Sequence, residues 1–318
     1  MSTPKSSPRA APRRHSQFRI AAFRAIERAA SCLGGRALYR AMNLRAGRFA
    51  VREERIEIDG LDSQLEGFTV VQLSDMHGGS FLAAGDLAVV VRTVNALEPD
   101  VVAITGDLIT HHWTDALLLL DDCARLSARH GVFAVFGNHD YKDRLEGLIA
   151  AAYGARGIRF LCNESVRLSG VGAGIAIVGL EDLEEARDID IERARAALQP
   201  GDVEIALCHN PSGARWLARP GCAVILSGHT HGTQIDLPLL RELGPKHPGL
   251  RVRFGSTLLI VSRGLGVVGV PFRVGARAEI VIVRLFRSAK SASGAVTRTS
   301  STTPEARTSA SSEAPHAR

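Results

Sequence analysis

From residue 68 onward, short apolar runs rich in β-branched residues alternate with longer segments of helical period. The runs are FTVVQLSD (68–75), VVAITGD (101–107), VFAVFGNHD (132–140), IRFLCNE (158–164), GIAIVGLED (174–182), VEIALCHNP (203–211), AVILSGHTHG (223–232), TLLIVSRG (257–264) and EIVIVRLF (279–286). Nearly continuous apolar runs of this length predict strands in sheets covered on both faces. Between the first three, residues 83–97 and 114–129 read as helices, the former with Val89, Val90, Thr93 and Leu97 on one side and Pro99 just beyond its end. That βαβ spacing predicts parallel pairing through right-handed crossovers. Later runs lie closer together, and Gly-rich connections such as SGVGAGIA (169–176) suit antiparallel hairpins. There is no internal repeat.

The ends of the chain read differently. Residues 1–17 and 288–318 are rich in Ser, Ala, Thr, Pro and Arg, with almost nothing large to bury, and predict disordered tails around a folded body at 51–287. Residues 18–50 form a basic segment in which Phe23, Ile26, Ala30 and Leu33 make one helical apolar stripe, with arginines largely to the side. Such a helix either lies on an anionic membrane surface or docks on the body with its charges in solvent.

Charge sharpens this division. The formal net charge is +6, but residues 1–50 hold eleven basic residues against one acidic, and residues 288–318 four against two, leaving −6 for the body. The basic character belongs to the ends, so no basic nucleic-acid cleft is expected in the core. Five scattered cysteines without a CxxC predict neither a disulfide framework nor a zinc knuckle, which suits a reducing compartment. After Arg13-Arg14 the apolar stretch is broken by Arg19, Arg24, Glu27 and Arg28, so twin-arginine export is not expected. No run reaches the roughly eighteen apolar residues of a membrane span, and the expected location is cytoplasmic, with peripheral membrane contact open through residues 18–50.

Five runs end in a polar cluster: Asp75-Met76-His77, Gly106-Asp107, Gly137-Asn138-His139-Asp140, Cys208-His209-Asn210 and Gly228-His229-Thr230-His231. Alone, each reads as a helix cap, a turn or a locally bonded histidine. In a layered α/β protein, however, the carboxyl ends of strands gather at one edge where ligands bind. Oxygen and imidazole donors without a committed thiolate suit Mn, Fe, Zn or Co. Two aspartates, one asparagine and four histidines among them make seven donors, too many for one tetrahedral ion, and fit two divalent ions sharing a bridging carboxylate, a clamp for displacement at phosphorus.

The ordered motifs D75-M-H77, G106-D107, G137-N-H-D140, H209 and G228-H-T-H231 resemble those of the calcineurin-like metallophosphoesterases over about residues 65–286. The VVQLSDMH opening and VSRGLGVVGVPFR closing segment look like a bacterial branch of small phosphodiesterases and UDP-2,3-diacylglucosamine pyrophosphohydrolases. The resemblance implies a two-sheet mixed β-sandwich flanked by helices, a four-layer α/β fold. It implies Asp75, His77 and His231 on a first metal, Asn138, His209 and His229 on a second, and Asp107 bridging both. It also implies that His139 faces the phosphate and protonates the leaving oxygen, with Asp140 holding its imidazole. The expected activity is hydrolysis of a phosphodiester or pyrophosphate by a metal-bound hydroxide, alternatively of a lipid-linked nucleotide at a membrane; a non-catalytic scaffold is the remote alternative, because every ligand position is filled. No protein partner is inferred.

Four residues stand apart. Many relatives carry a second glycine after the last motif where this chain has Thr233, and a positive φ there would strain a threonine. Arg263, before Gly264-Leu265-Gly266, is expected either to meet a substrate anion or to pair with an acidic residue of the body. His111 and His112 follow Gly106-Asp107 in a loop, either exposed or touching substrate.

Overall fold

The computed structural model describes residues 17–186, 188–236 and 247–289, with side chains from residue 25. The expected disordered tails therefore lie outside the described residues, except that Gln17 opens a helix and the Ser288 amide donates to Ile58 O at 3.0 Å.

Twelve strands are described: β1 (Ala50–Ile58), β2 (Thr69–Leu73), β3 (Val101–Thr105), β4 (Val132–Val135), β5 (Ile158–Phe160), β6 (Glu164–Arg167), β7 (Ile175–Gly179), β8 (Val203–Leu207), β9 (Cys222–Ser227), β10 (Arg251–Phe254), β11 (Thr257–Val261) and β12 (Glu279–Arg287). They form two six-stranded mixed sheets, ordered β1-β12-β2-β3-β4-β5 and β10-β11-β9-β8-β7-β6. All nine apolar runs became strands, and β2, β3, β4 and β5 pair in parallel as the spacing predicted. Antiparallel pairing after the Gly-rich connection holds for β6 with β7, whereas β7, β8, β9 and β11 pair in parallel.

The three strands with no apolar run, β1, β6 and β10, are all at sheet edges. An edge strand carries charge and is half exposed; β1 reads AVREERIEI and alternates along much of its length between partly buried and exposed positions.

Side-chain alternation along each central strand divides the interior. In β2, Val70 faces the layer between the sheets, packed with Val135, Ile177, Val224 and Val283, while Val71 and Leu73 face the helices α3 (Ala88–Asn95), α4 (Thr114–Cys123) and α5 (Glu146–Gly154). On the far side, Val178, Ala206 and Ile225 pack with α6 (Ile191–Ala194) and α7 (Ala214–Leu217). The result is the four-layer sandwich expected. One polar side chain crosses it: Gln72, fully buried, donates 2.9 Å bonds to Thr105 Oγ1 and Ser227 O, joining the sheets beneath the loops that carry the polar clusters.

The α4 helix is shorter than the pattern predicted because Asn95 takes the backbone beyond it, donating to Arg125 O and accepting from Ser127 N. Before the body, α1 (Gln17–Cys32) and α2 (Gly35–Asn43) pack on the helix side of the first sheet. Tyr39, Leu44 and Phe49 join that core, and Ala30 packs against it. The predicted stripe does not stay on one face: Ile26 is 50% exposed and Leu33 89% exposed, while Glu27 is buried. The fourth member, Phe23, has a side chain outside those described.

Candidate metal centre

Five loops, leaving β2, β3, β4, β8 and β9, meet at one end of the sandwich, where the two sheets' carboxyl ends adjoin. Their close approach depends on missing side chains. A Cβ on Gly137 would fall 2.3 Å from Asp107 Oδ1, and one on Gly228 would fall 2.0 Å from Ser74 Oγ and 2.2 Å from Asp75 Oδ2. Those glycines are required by contact between loops rather than by turn geometry.

The donors themselves sit on unusual backbone. Asp75, His77, Asp107, His229 and His231 have φ of 49°, 50°, 56°, 71° and 51°. Left-handed L-residues cost about 1–2 kcal/mol each and persist where their surroundings over-determine them, as functional sites often do. A ladder holds Asp75, His77 and Asp107: the amides of Asp75, His77 and Gly78 donate to the carbonyls of Gly106, Asp107 and Leu108 at 3.0, 3.0 and 2.8 Å.

Asp75, His77, Asp107 and His231 offer donor atoms that all lie within 4.8 Å of one another. His77 Nε2 is 3.0 Å from His231 Nε2 and 3.4 Å from Asp107 Oδ2, and His231 Nε2 is 3.4 Å from Asp75 Oδ1. Two atoms each about 2.1 Å from one ion, at tetrahedral or octahedral angles, stand about 3.0–3.4 Å apart. Next to this cluster, His209 Nε2 lies 3.4 Å from the same Asp107 Oδ2, and His229 Nδ1 lies 3.0 Å from Asn138 Oδ1.

Tautomers decide what these atoms can hold. His77 Nδ1 donates to Ile109 O at 3.0 Å and His209 Nδ1 to Thr105 O at 2.7 Å. As neutral rings, both therefore aim an Nε2 lone pair at Asp107 Oδ2, an arrangement that is repulsive unless a cation lies between them. Asp75 Oδ2 and His209 Nε2 are buried without a hydrogen-bond partner among the described residues. The donor set fits a divalent ion on all these counts.

The charges agree with this. Burial pushes His77 and His231 down and outweighs the carboxylates beside them, which keeps both rings neutral. Burial would likewise raise Asp107, but His209, His139 and His77 hold it well below the usual carboxylate range. For His209 burial is outweighed in the other direction: Asp107, Asp75 and Asp182 raise it, so a metal-free ring would carry a proton in place of the ion.

Asp140 requires a correction. Sequence reasoning placed it behind the His139 imidazole; instead its carboxylate accepts four backbone N–H bonds, from Gly137 and Asp107 at 2.8 and 2.9 Å and from Leu108 and Ile109 at 2.8 and 3.2 Å. It fastens the Asp107 loop to the Asn138 loop. The short 3-10 turn Asn138–Tyr141 points successive side chains apart, so neighbours in sequence do not meet. His139 Nδ1 instead lies 3.2 Å from Thr110 O and 2.7 Å from Lys142 Nζ, and its ring packs edge-on to His77, 4.7 Å between centroids. Lys142 was legible in principle, since residues three apart eclipse in a 3-10 turn.

Of the two expectations for Arg263, the structure shows the ion pair. Its Nη1 is 2.6 Å from Glu279 Oε2, where Arg52 also binds Glu279 at 3.0 Å. Thr233 has the left-handed φ of 60° that the missing glycine implied. His112 is exposed, whereas His111 bonds Glu27 through Nε2. Sequence reasoning missed Glu184, whose Oε1 is 3.4 Å from His229 Nε2 and accepts from Asn210 Nδ2 at 3.0 Å. No spacing rule links that loop to His229.

Residues 68–233 match the family model described as calcineurin-like phosphoesterase. A bovine protein named "Transmembrane protein with metallophosphoesterase domain" is 33% identical over 73% of this chain and 56% of its own length. The metallophosphoesterase YkuE of Bacillus subtilis is 31% identical over 85% of this chain and 96% of its own. A Helicobacter pylori metallophosphoesterase is 33% identical over 74% of this chain, which spans 63% of that protein. Among solved structures, a 5'-nucleotidase precursor from Thermus thermophilus superimposes over 68% of this chain and 54% of its own at 18% identity, with a TM-score of 0.43. The matched region begins at β2 and ends just past His231, so it contains each of the loops that build the metal centre. This chain therefore belongs to the calcineurin-like phosphoesterase family.

Proposed function

We propose that the protein is a dinuclear metal-dependent phosphoesterase that hydrolyses a phosphodiester or pyrophosphate bond. The observation that carries this reading is Asp107 Oδ2, 3.4 Å from His77 Nε2 on one side and from His209 Nε2 on the other. One carboxylate oxygen between two backbone-anchored imidazoles suits a bridge. Asp75, His77 and His231 would hold one ion with it, and Asn138, His209 and His229 the other. When bound, the two ions, drawn from Mn, Fe, Zn or Co, acidify a water and neutralise the phosphoryl oxygens.

The chain's own groups do the rest. His139 is half-buried at the rim, and its Nε2 makes no hydrogen bond among the described residues while Nδ1 is engaged. Burial, Lys142 and His77 keep the ring from charging in the metal-free protein against the pull of Asp107. An anionic phosphate bound against the ring would raise it, and the protonated ring could then pass its proton to the leaving oxygen. The Lys142 ammonium beside it adds a cation where a phosphoryl oxygen would sit.

Stripped protein reloaded with each divalent metal and assayed against a diester, a monoester and a nucleotide-diphosphate lipid tests the proposal. Diester or pyrophosphate hydrolysis that is abolished by chelation is expected. Equal rates in chelator, or a phosphorylated protein residue trapped during turnover, would sink it.

A second reading, a membrane-associated pyrophosphohydrolase acting on a lipid-linked nucleotide of the UDP-2,3-diacylglucosamine type, is favoured by one observation. Leu33, in the turn between α1 and α2, is 89% exposed, and Ile26, Leu38 and Met42 are each 50% exposed on the helices beside it, which also carry Arg28, Arg36 and Arg40. Among the described residues no helix is long and apolar enough to cross a membrane; the contact in this reading is peripheral, on the cytoplasmic face. Cosedimentation with anionic vesicles that survives Leu33→Glu and Met42→Glu together would remove this reading.

A further inference from the structure

Glu27 lies on α1, ahead of the residues that match the family, yet it is only 2% exposed. A buried carboxylate needs partners, and this one has two, on different loops of the site. Its Oε2 bonds His111 Nε2, and its Oε1 accepts the Gly269 N–H at 2.8 Å. Burial alone would push the carboxyl up; the His111 bond and charge, with Gly269 and Lys142, hold it lowered.

Both loops lead directly to the metal centre. His111 follows Thr110, whose carbonyl lies 3.2 Å from His139 Nδ1 and accepts from Lys142 Nζ at 2.5 Å, and whose hydroxyl donates to His77 O at 3.0 Å. Gly269 closes the segment in which the Leu265 and Gly266 amides donate to Ser74 O and Asp75 O at 3.0 and 2.7 Å. The same helical pair also grips the loop after β2, through Ser31 Oγ to Ser80 O at 3.1 Å, and the Leu265 segment, through the Tyr39 hydroxyl to Leu265 O. A cavity of about 280 Å³ lies beside the Glu27–His111 contact, lined by Glu27, Arg28, Ser80, His111 and His112 among others.

We propose that Glu27 is a positioning residue of the active centre: it fixes His111, and through it the Thr110 carbonyl that orients the His139 ring. The N-terminal helix is then a working part of the site, although it lies outside the matched domain. This rests on the reading of His139 as the group that acts on the leaving oxygen.

The test uses the full chain loaded with metal and two diesters, one with a nitrophenolate leaving group and one with an alkoxide. Glu27→Gln keeps an acceptor for Gly269 but removes the charge facing His111. It is expected to slow the alkoxide substrate about tenfold and the nitrophenolate substrate less than about twofold, since only a poor leaving group needs the proton. Metal content should not change, and in a His139→Ala background the substitution should add nothing. Equal slowing of both diesters, or effects that multiply with His139→Ala, would overturn the proposal and leave Glu27 a packing residue. If Glu27→Gln lowers the folded fraction, His111→Gln breaks the same link from the other side and is read by the same ratio. His139→Ala alone serves as the control. If it does not discriminate between the diesters, the reading of His139 fails and takes this inference with it. If it discriminates and neither Glu27→Gln nor His111→Gln does, only the inference fails.

Discussion

Replacing Asp140 with asparagine separates two accounts of the Asn138-His139-Asp140 turn. The carboxylate is 1% exposed and accepts two backbone N–H bonds on each oxygen. Asparagine keeps one oxygen and turns an amino group toward two N–H donors, so two charge-assisted bonds are lost, at about 1.5–3 kcal/mol each. Burial and the Asp107 charge push the Asp140 carboxyl up to about 7, which offsets part of the loss. The expected cost is therefore near the lower bound, about 3 kcal/mol. For a domain of this size that lowers Tm by about 6–12 °C. Because the bonds lost join the Asp107 and Asn138 loops, metal content should fall together with Tm. Calorimetry and metal analysis of Asp140→Asn measure both. An unchanged Tm and full metal content, with turnover reduced only for poor leaving groups, would mean that Asp140 works through the His139 ring and that the scaffold argument is wrong.

Three further outcomes follow from the same geometry. Thr233→Gly relieves a left-handed threonine worth about 1–2 kcal/mol, against about 0.5–1 kcal/mol of extra chain freedom, so its unfolding free energy by urea titration should rise by a net of about 0.5–1 kcal/mol; a lower free energy would contradict the strain. Gly228→Ala puts a methyl 2.2 Å from Asp75 Oδ2, and should abolish tight metal binding measured by calorimetric titration, whereas retained affinity would show that the loop yields. In stripped protein the raised His209 contributes stability that is fully present below its unfolded value of about 6.5 and lost as pH rises through its folded value. Tm of chelated protein should thus decline as pH rises above about 6.5, and saturating metal, which displaces the same proton, should flatten the decline; a Tm that rises with pH there refutes the assignment.

Much of this molecule can be read from its sequence, and the parts that cannot have physical reasons. Buried central strands announce themselves because both faces must be apolar; the edge strands β1, β6 and β10 are partly wet and carry charges, so they leave no run. The loops that bear Asp75, Asp107, Asn138, His209 and His229 could be brought together on paper because strand ends share an edge. Which atom of each touches which neighbour could not, since that depends on side-chain direction in a 3-10 turn and on left-handed backbone. Asp140 is the example: the family resemblance implied that it holds the His139 imidazole, and geometry gave it four amides. Glu27 is the converse. Within its helix it looks like a surface acid interrupting an apolar stripe, and only the fold reveals the histidine and amide, 84 and 242 residues away, that bury it.

The central claim is that two ions share Asp107. Titrating stripped protein with the most effective divalent metal, while following diester hydrolysis and bound metal together, tests it most directly. The account expects little turnover at one equivalent and saturation only as the second binds, with Asn138→Ala and His209→Ala halting at one. Full turnover at a single equivalent, or in the presence of chelator, would contradict it.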